Sequence, residues 1–495
     1  MDNTKNLILE AKELYSKKSY FEAKSCLLKV FENFNLDIKL KMNLYVLISD
    51  IYYKINEFEN AENYLLKYLK EDRSNSNIFN LLGNVYLKKR DFKNSEKSYL
   101  ESEKLDKNNE TAIFNLAILY HNLGKKKEAI SFYKKILIKN PKKIGILFNL
   151  ASLDKTIINE EKISFLKKII NDNKLNHFDM ASCYFLIAEN EKKKKNFKDE
   201  INLLSSANKL SFRSNEKKNI QLNEYWLKII PKKFNKIEFK KKYANTDNTK
   251  NFYPIFIIGL PRCGSTLIES IISSGKDKVE NLGETNLVNW AFLNTNRDFL
   301  KLIDNKKKII IDYNLTAKKL IGSIDNLIIN KNNDIYFSEK SLENFYYIEL
   351  ILNIYPNAKF INPYRNIIDN TFAIYKQFLS NISWSHSLEN ILLYFDNYFS
   401  TINYFKQKYS DKIFSISLEE FSNDPKNSAM EIYKFCNLRW DEKCLDFYKR
   451  DDLFTNTASI NQIRSAVQKY DLSKYEAYKG MLNKYLKKYS WLNNN

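Results

Sequence analysis

Small, aromatic and aliphatic positions in the first third of the chain return with a fixed period. Tyr52, Tyr86 and Tyr120 stand 34 residues apart, as do Ala61, Ser95 and Ala129. At the same interval Phe114-Asn-Leu-Ala117 recurs as Phe148-Asn-Leu-Ala151, and Tyr99 recurs as Tyr133. Within one period, Leu81-Leu-Gly83-Asn-Val-Tyr86 is followed by Ser95 and Tyr99, small and aromatic residues about one helical turn apart. That spacing predicts two helices that approach closely at the small residue. No single hairpin of this kind can bury its apolar face alone, so the period predicts a stack. An earlier hairpin, Ala11 to Leu27, fits at a spacing of 38, and Phe185 to Ala207 reads as a degenerate later one.

After about residue 210 the period ends. Asn219 to Phe239 reads as one more amphipathic helix, and the polar stretch Lys240 to Asn251 as a linker. Beyond it the apolar signal changes to short runs: Pro254-Ile-Phe-Ile-Ile258, Ile309-Ile-Ile311, Ile335-Tyr-Phe337, Lys359-Phe-Ile361 and Ile413-Phe-Ser-Ile416. Strands alternating with helical segments predict a parallel sheet covered on both faces, with ligands at the carboxyl ends of the strands. The expected organisation is therefore multidomain: a helical array over 1–210, a connecting helix and linker over 211–251, and an α/β domain over 252–495.

A chain of 495 residues fits several domains, and its 44% hydrophobic and 14% aromatic content is enough to bury their cores. Nine Gly and seven Pro exclude fibrous and wholly disordered classes. No apolar run approaches the ~18–20 residues of a membrane span, and the start lacks an apolar signal core, so a cytoplasmic location is expected. The five Cys are scattered without metal-ligand spacing, which suits free thiols in a reducing compartment and predicts no metal site. The net charge of 80 − 59 = +21 is compatible with an anionic partner. Lys, Asn and Ile are abundant throughout, however, and runs such as Lys192 to Lys195 read as solvated faces, so no nucleic-acid role is assigned.

The first strand of the second half runs into Gly259-Leu-Pro-Arg262-Cys263-Gly264-Ser265-Thr266, followed by the helix-like Leu267-Ile-Glu-Ser-Ile-Ile272. A strand, a Gly-containing turn and a helix start make an anion site: backbone N–H groups and the helix dipole face the ligand, and hydroxyls can donate to phosphate oxygens. The spacing of Gly259 and Gly264 is that of a nucleotide P-loop, but Ser265 stands where the Lys that reaches the outer phosphates would be. This argues against a triphosphate. Arg262 supplies the charge instead.

These segments resemble two known families. The 34-residue unit, with Gly124 at a turn and Pro141 at its close, is similar to the tetratricopeptide repeat across about 45–152. The segment Pro254 to Glu269 resembles the 5′-phosphosulfate loop of sulfotransferases, especially the bacterial tetratricopeptide-repeat sulfotransferases, which are similar to the tyrosylprotein enzymes. Four further segments follow in the family's order. Gly283-Glu284-Thr285 resembles the segment carrying the proposed catalytic base. Glu339-Lys340-Ser-Leu-Glu-Asn344 resembles Asp-Lys-x-Pro-x-Asn, and Tyr364-Arg365-Asn366-Ile-Ile-Asp369 the 3′-phosphate motif. Thr457 through Gln462, Arg464, Lys474, Tyr475 and Tyr478 resembles the carboxyl-terminal cofactor segment. The family's Ser eight residues after the Arg is Ala373 here, and Thr371 would face another side of its helix.

The resemblance implies an all-α repeat superhelix followed by a P-loop-like α/β sulfotransferase domain that uses 3′-phosphoadenosine 5′-phosphosulfate. The sulfuryl group would pass to a hydroxyl or amine of an unidentified acceptor, a protein tyrosine or glycan among the candidates. It implies that Arg262 and Lys340 stabilise developing charge and that Glu284 takes the acceptor's proton. Arg262, Cys263, Gly264, Ser265, Thr266 and Leu267 would hold the 5′ end of the cofactor, and Arg365 and Lys474 the 3′ phosphate. The repeat array would either present a concave surface to a peptide or protein partner or only support the second domain or a dimer. Alternatives are a P-loop kinase or ATPase, with Asp312 after Ile309-Ile-Ile311 holding magnesium, and a scaffold with an inactive site, motivated by Ala373. His386 is read as a surface or acceptor-pocket residue, His121 as a packing or surface residue, and Cys263 as a thiol whose anion the helix start would stabilise.

Overall fold

The computed structural model describes residues 2–172, 174–238, 251–296, 309–311, 313–328, 334–450, 452–455, 457, 459–460, 462–471 and 473–494. Residues 240–250 of the expected linker Lys240 to Asn251, and Asp312, lie outside the described residues, whereas Asn251 already begins a strand. The chain divides into two compact units. One comprises Met1–His121, Lys125–Lys139 and Ile321–Ile329; the other comprises Asn122–Gly124, Asn140–Leu320 and Asn330–Asn495. No helix among the described residues is long and apolar enough to cross a membrane.

The first unit is built from the helices α1 (Asp2–Ser16), α2 (Tyr20–Asn33), α3 (Ile38–Lys54), α4 (Phe58–Glu71), α5 (Ser76–Lys88), α6 (Phe92–Leu105), α7 (Glu110–Asn122) and α8 (Lys126–Lys139). Asp37, Asn75 and Asp91 cap helix starts by accepting from backbone N–H groups of the first turn. The hairpin α5–α6 closes where the sequence requires it. A Cβ at Gly83 would lie 2.5 Å from the Tyr99 ring, and Ser95 Oγ donates to the Gly83 carbonyl at 2.9 Å. Successive hairpins repeat one contact. Glu62 accepts from Tyr86 (3.0 Å) and Lys89 (2.6 Å), and one period later Glu96 accepts from Tyr120 (2.8 Å) and Lys125 (3.3 Å). His121 is buried with Nδ1 3.2 Å from the Tyr133 hydroxyl, a packing residue as expected. The turns hold one left-handed residue each, Lys18, Asn56, Arg90 and Gly124 at φ of 60°, 62°, 61° and 76°. Only the last is the glycine that such a turn favours.

In the second unit α9 (Ile144–Leu153), α10 (Glu160–Asn171), α11 (His177–Lys193) and α12 (Phe197–Arg213) precede the sheet. The pair α11–α12 is the degenerate hairpin, turning at Lys195 with φ of 59°. Helical backbone then continues from Glu216 to Lys236. Among the described residues the strands that follow are β1 (Ile237–Glu238), β2 (Asn251–Ile257), β3 (Glu280–Asn281), β4 (Ile309–Ile310), β5 (Asp334–Glu339), β6 (Lys359–Tyr364) and β7 (Ile413–Ser417). Five form one sheet in the order β3-β5-β2-β6-β7, with every pairing parallel. Ile255, Ile257 and Ile361 of this sheet pack with Ile268, Ile271, Ile272, Phe421 and Ile432 in one core, as the unbroken apolar runs of a doubly covered parallel sheet require.

One expected strand falls elsewhere. Ile309–Ile310 pairs with β1 in a separate two-stranded sheet, and the edge of the main sheet is instead Glu280–Asn281, whose two polar residues carry no strand pattern. The apolar run that the kinase alternative relied on is therefore not in the sheet that carries the loop.

Candidate functional site

β2 and β6 lie side by side at the centre of the sheet, and the chain winds away from them in opposite directions, which puts a crevice at their carboxyl ends. The loop after β2 occupies it. Gly259, Arg262 and Gly264 all have positive φ (132°, 66° and 91°), and Gly264 caps the helix Ser265–Ile272. At Gly259 a Cβ would meet the Asn362 side chain at 3.1 Å and the Pro363 carbonyl at 3.2 Å, so the glycine lets β6 approach the loop. Arg262 has no such freedom, and its left-handed backbone costs about 1–2 kcal/mol that the surroundings must offset. Asn370 Nδ2 donates to the Pro261 carbonyl at 2.7 Å and Arg365 Nη1 to the Arg262 carbonyl at 3.2 Å, fixing the turn from the connection and helix that follow β6.

A cavity of about 330 Å³ opens beside this loop, a size within the range of small-molecule sites. Arg262, Gly264, Thr266, Leu267, Arg365 and Lys474 line it together, although they come from three separate stretches of sequence. Cys263 and Ser265 do not line it. The Arg262 guanidinium donates through Nη1 to Ser459 Oγ at 2.6 Å; its Nε is buried without a hydrogen-bond partner, and it has no ion-pair partner among the described residues. Burial and the nearby Arg365 both press its pKa down. Burial, Arg365 and Arg262 do the same to Lys474. A cluster of cations left short of counter-charge in a partly dehydrated cavity is costly unless an anion completes it.

Glu284 and Lys340 meet beside the loop without lining the cavity. Lys340 is fully buried, with Nζ 2.7 Å from Glu284 Oε1 and 3.8 Å from Glu269 Oε2 on the loop helix, whereas Glu284 is half exposed. Burial opposes the ammonium, but the Glu269 and Glu284 carboxylates outweigh it and hold its pKa above the usual lysine value. Glu339 explains the rest of the motif. It accepts from Thr285 N and Oγ1 (3.2 and 2.7 Å), Ser341 N (3.0 Å) and Asn344 Nδ2 (2.6 Å), so it ties the Glu284 segment to the end of β5. Burial, with Glu284 and Glu339 adding to it, pushes Glu343 up to about 7, a titratable group beside this pair with no role in the sequence reading.

Tyr470 was likewise not singled out, and Asp369 and Ser459 stood inside matched segments without a role. The Tyr470 hydroxyl accepts from Arg365 Nε at 3.0 Å and from Nη2, and donates to Asp369 Oδ2 at 2.5 Å. Two readings need correction. All five cysteines are free, and Cys26 alone is partly exposed. Cys263 is fully buried, and burial pushes its thiol up to about 11 against the lowering effect of backbone N–H groups at the helix start, so no thiolate forms near neutrality. His386 is no surface residue: it is buried, neither ring nitrogen has a partner among the described residues, and burial pushes it down to about 4. Ala373 is buried, and the Thr371 hydroxyl is bonded to the Ile367 carbonyl at 2.8 Å, so neither supplies a hydroxyl at the site.

Comparison with known proteins agrees with these two parts. Residues 254–442 match the Sulfotransferase family, and residues 43–75, 76–109 and 111–137 match the tetratricopeptide repeat. An uncharacterized protein of Aquifex aeolicus (strain VF5) is 23% identical over 373 residues, 73% of this chain and 48% of the relative. The chain thus spans about half the length of the curated relative it matches. Among solved structures, the sulfotransferase domain of the Synechococcus PCC 7002 olefin synthase is 13% identical with a TM-score of 0.33, covering 48% of this chain and 92% of that one. MamA is 15% identical with a TM-score of 0.30, covering 35% and 97%. The chain therefore joins tetratricopeptide repeats to a sulfotransferase-family domain built on a five-stranded parallel sheet.

Proposed function

We propose that the second unit transfers a sulfuryl group from 3′-phosphoadenosine 5′-phosphosulfate to a hydroxyl or amine. The observation that carries this reading is the partly buried Arg262 side chain, with its buried Nε unpartnered and no carboxylate paired to it among the described residues, facing a cavity it shares with Arg365 and Lys474. That orphaned donor and the cations around it fit an anionic nucleotide. The cofactor, when bound, supplies the activated sulfuryl group and a phosphate leaving group.

In this reading Arg262 and the N–H groups of the loop hold the 5′ end and stabilise charge developing there, with Thr266 donating a hydroxyl. Arg365 and Lys474 hold the 3′ phosphate, Arg365 by its planar fork. Glu284, half exposed and held by Lys340, takes the acceptor's proton as the new bond to oxygen or nitrogen forms. Lys340 thereby orients the base in addition to the charge-stabilising role assigned to it. The acceptor is a protein tyrosine, glycan or other polymer brought by a peptide or protein partner of the repeats, and the free thiols suit the cytoplasm.

Thermal stabilisation of the full chain by adenosine 3′,5′-bisphosphate, set against ATP with magnesium, tests the reading, since a ligand of the native state raises stability by RT ln(1 + [L]/Kd). A shift with the bisphosphate alone supports it. A shift with Mg-ATP alone overturns it in favour of phosphoryl chemistry, and no shift with either leaves a scaffold with a dead site. Glu284→Gln should then spare bisphosphate binding while lowering turnover at least ~10²-fold; near-normal turnover would remove the base from Glu284.

A further inference from the structure

Arg365 is surrounded by groups that compete for it. A guanidinium has five N–H donors. Two bonds, from Nε and Nη2, end on the Tyr470 hydroxyl, and one, from Nη1, ends on the Arg262 carbonyl. The guanidinium also lies 4.9 Å from the centre of the Tyr470 ring and 5.8 Å from that of Tyr475. Asp369, in the first turn of the helix Ile367–Tyr375 that follows Arg365, brings Oδ2 to 3.7 Å from Nη2. That is longer than the ~2.7–2.9 Å of a charge-assisted hydrogen bond. The Tyr470 oxygen stands between the two, accepting from the cation and donating to the carboxylate at 2.5 Å. Arg365 stands two residues before the helix Ile367–Tyr375 and Asp369 in its first turn, so without the hydroxyl between them the 3.7 Å gap is free to close, and a carboxylate bonded directly to the fork would neutralise the charge an incoming phosphate needs.

We infer that Tyr470 is a positioning residue of the anion site: its hydroxyl keeps Arg365 from closing onto Asp369 and so keeps the guanidinium available to a 3′-phosphate. This rests on the nucleotide reading above. It also accounts for how the site works with Ala373, because the hydroxyl that reaches Arg365 comes from a segment 105 residues away rather than from the helix that follows it.

The test compares two nucleotides that differ only in the 3′-phosphate, adenosine 3′,5′-bisphosphate and adenosine 5′-phosphate, by calorimetry on the full chain. Tyr470→Phe keeps the ring and removes the hydroxyl. It should weaken the bisphosphate about tenfold and change the 5′-phosphate less than about twofold, as the loss of one polar contact at the 3′ position requires. Adding Asp369→Asn to that variant removes the competing carboxylate and should return bisphosphate affinity to within about threefold of wild type. A variant that binds the bisphosphate as well as or more tightly than wild type would overturn the role of Tyr470. So would equal losses for both nucleotides, or no recovery with Asp369→Asn. Wild-type protein that fails to bind the bisphosphate overturns the nucleotide reading together with this one, whereas wild-type binding followed by any of the other three results overturns the Tyr470 role alone.

Discussion

The two units keep their order by opposite means. In the repeat unit one contact is used again and again: Glu62 with Tyr86 and Lys89, then Glu96 with Tyr120 and Lys125. Each joins helices that are neighbours in sequence, so losing one leaves the next in place. In the α/β unit each contact around the loop occurs once and spans far. Arg262 reaches Ser459 across 197 residues and Arg365 reaches Tyr470 across 105. A repeated local contact spreads stability over the array. A single distant contact concentrates function at one point, with nothing behind it.

Substitutions of graded severity sharpen this contrast. Arg365→Ala should have the largest effect, weakening adenosine 3′,5′-bisphosphate about 100-fold in a calorimetric titration while the melting temperature without ligand moves little. If binding survives, the α/β site is not the single-point device described. Gly83→Ala drives a methyl toward the Tyr99 ring and should cost about 1–3 kcal/mol in denaturant unfolding of the first unit, with nucleotide affinity unchanged. Lowering the pH tests the second unit through His386. Its folded pKa of about 4 lies below the ~6.5 of the unfolded chain. The unfolded state therefore takes up a proton first as pH falls, and stability should drop by about 1.4 kcal/mol per pH unit from about 6.5 until the pH nears the folded value. His386→Phe should flatten that part of the profile. Glu96→Gln should matter least, below about 1 kcal/mol, because a half-exposed pair is screened and its neighbours in the array persist.

Legibility follows the same division. The repeats were readable because the 34-residue period places Gly83 against Tyr99 and repeats the Tyr and Glu positions. Their turns were not, since Lys18 and Arg90 adopt a left-handed backbone with no compositional mark. The loop was readable because a strand, two glycines and a helix start are adjacent in sequence, and Arg262, Thr266, Arg365 and Lys474 do share one cavity. Tyr470 was invisible, and Ser459 stood in a matched segment without a role, because the meaning of such ordinary polar residues depends on what the fold brings from more than a hundred positions away. Glu280–Asn281 escaped for want of any apolar alternation, and Ile309–Ile310 misled because an apolar run shows a strand without showing its sheet. The expectation for Cys263 weighed the helix start and could not weigh burial, which dominates.

The distribution of thiols gives the molecule a built-in reporter. Cys26, partly exposed, lies in the repeat unit, whereas the buried Cys183, Cys263, Cys436 and Cys444 all lie in the α/β unit. A maleimide dye added to the native protein should couple once and quickly, at Cys26. Every later coupling has to await an opening of the other unit, so the slow phases of labelling time its breathing and nucleotide should lengthen them.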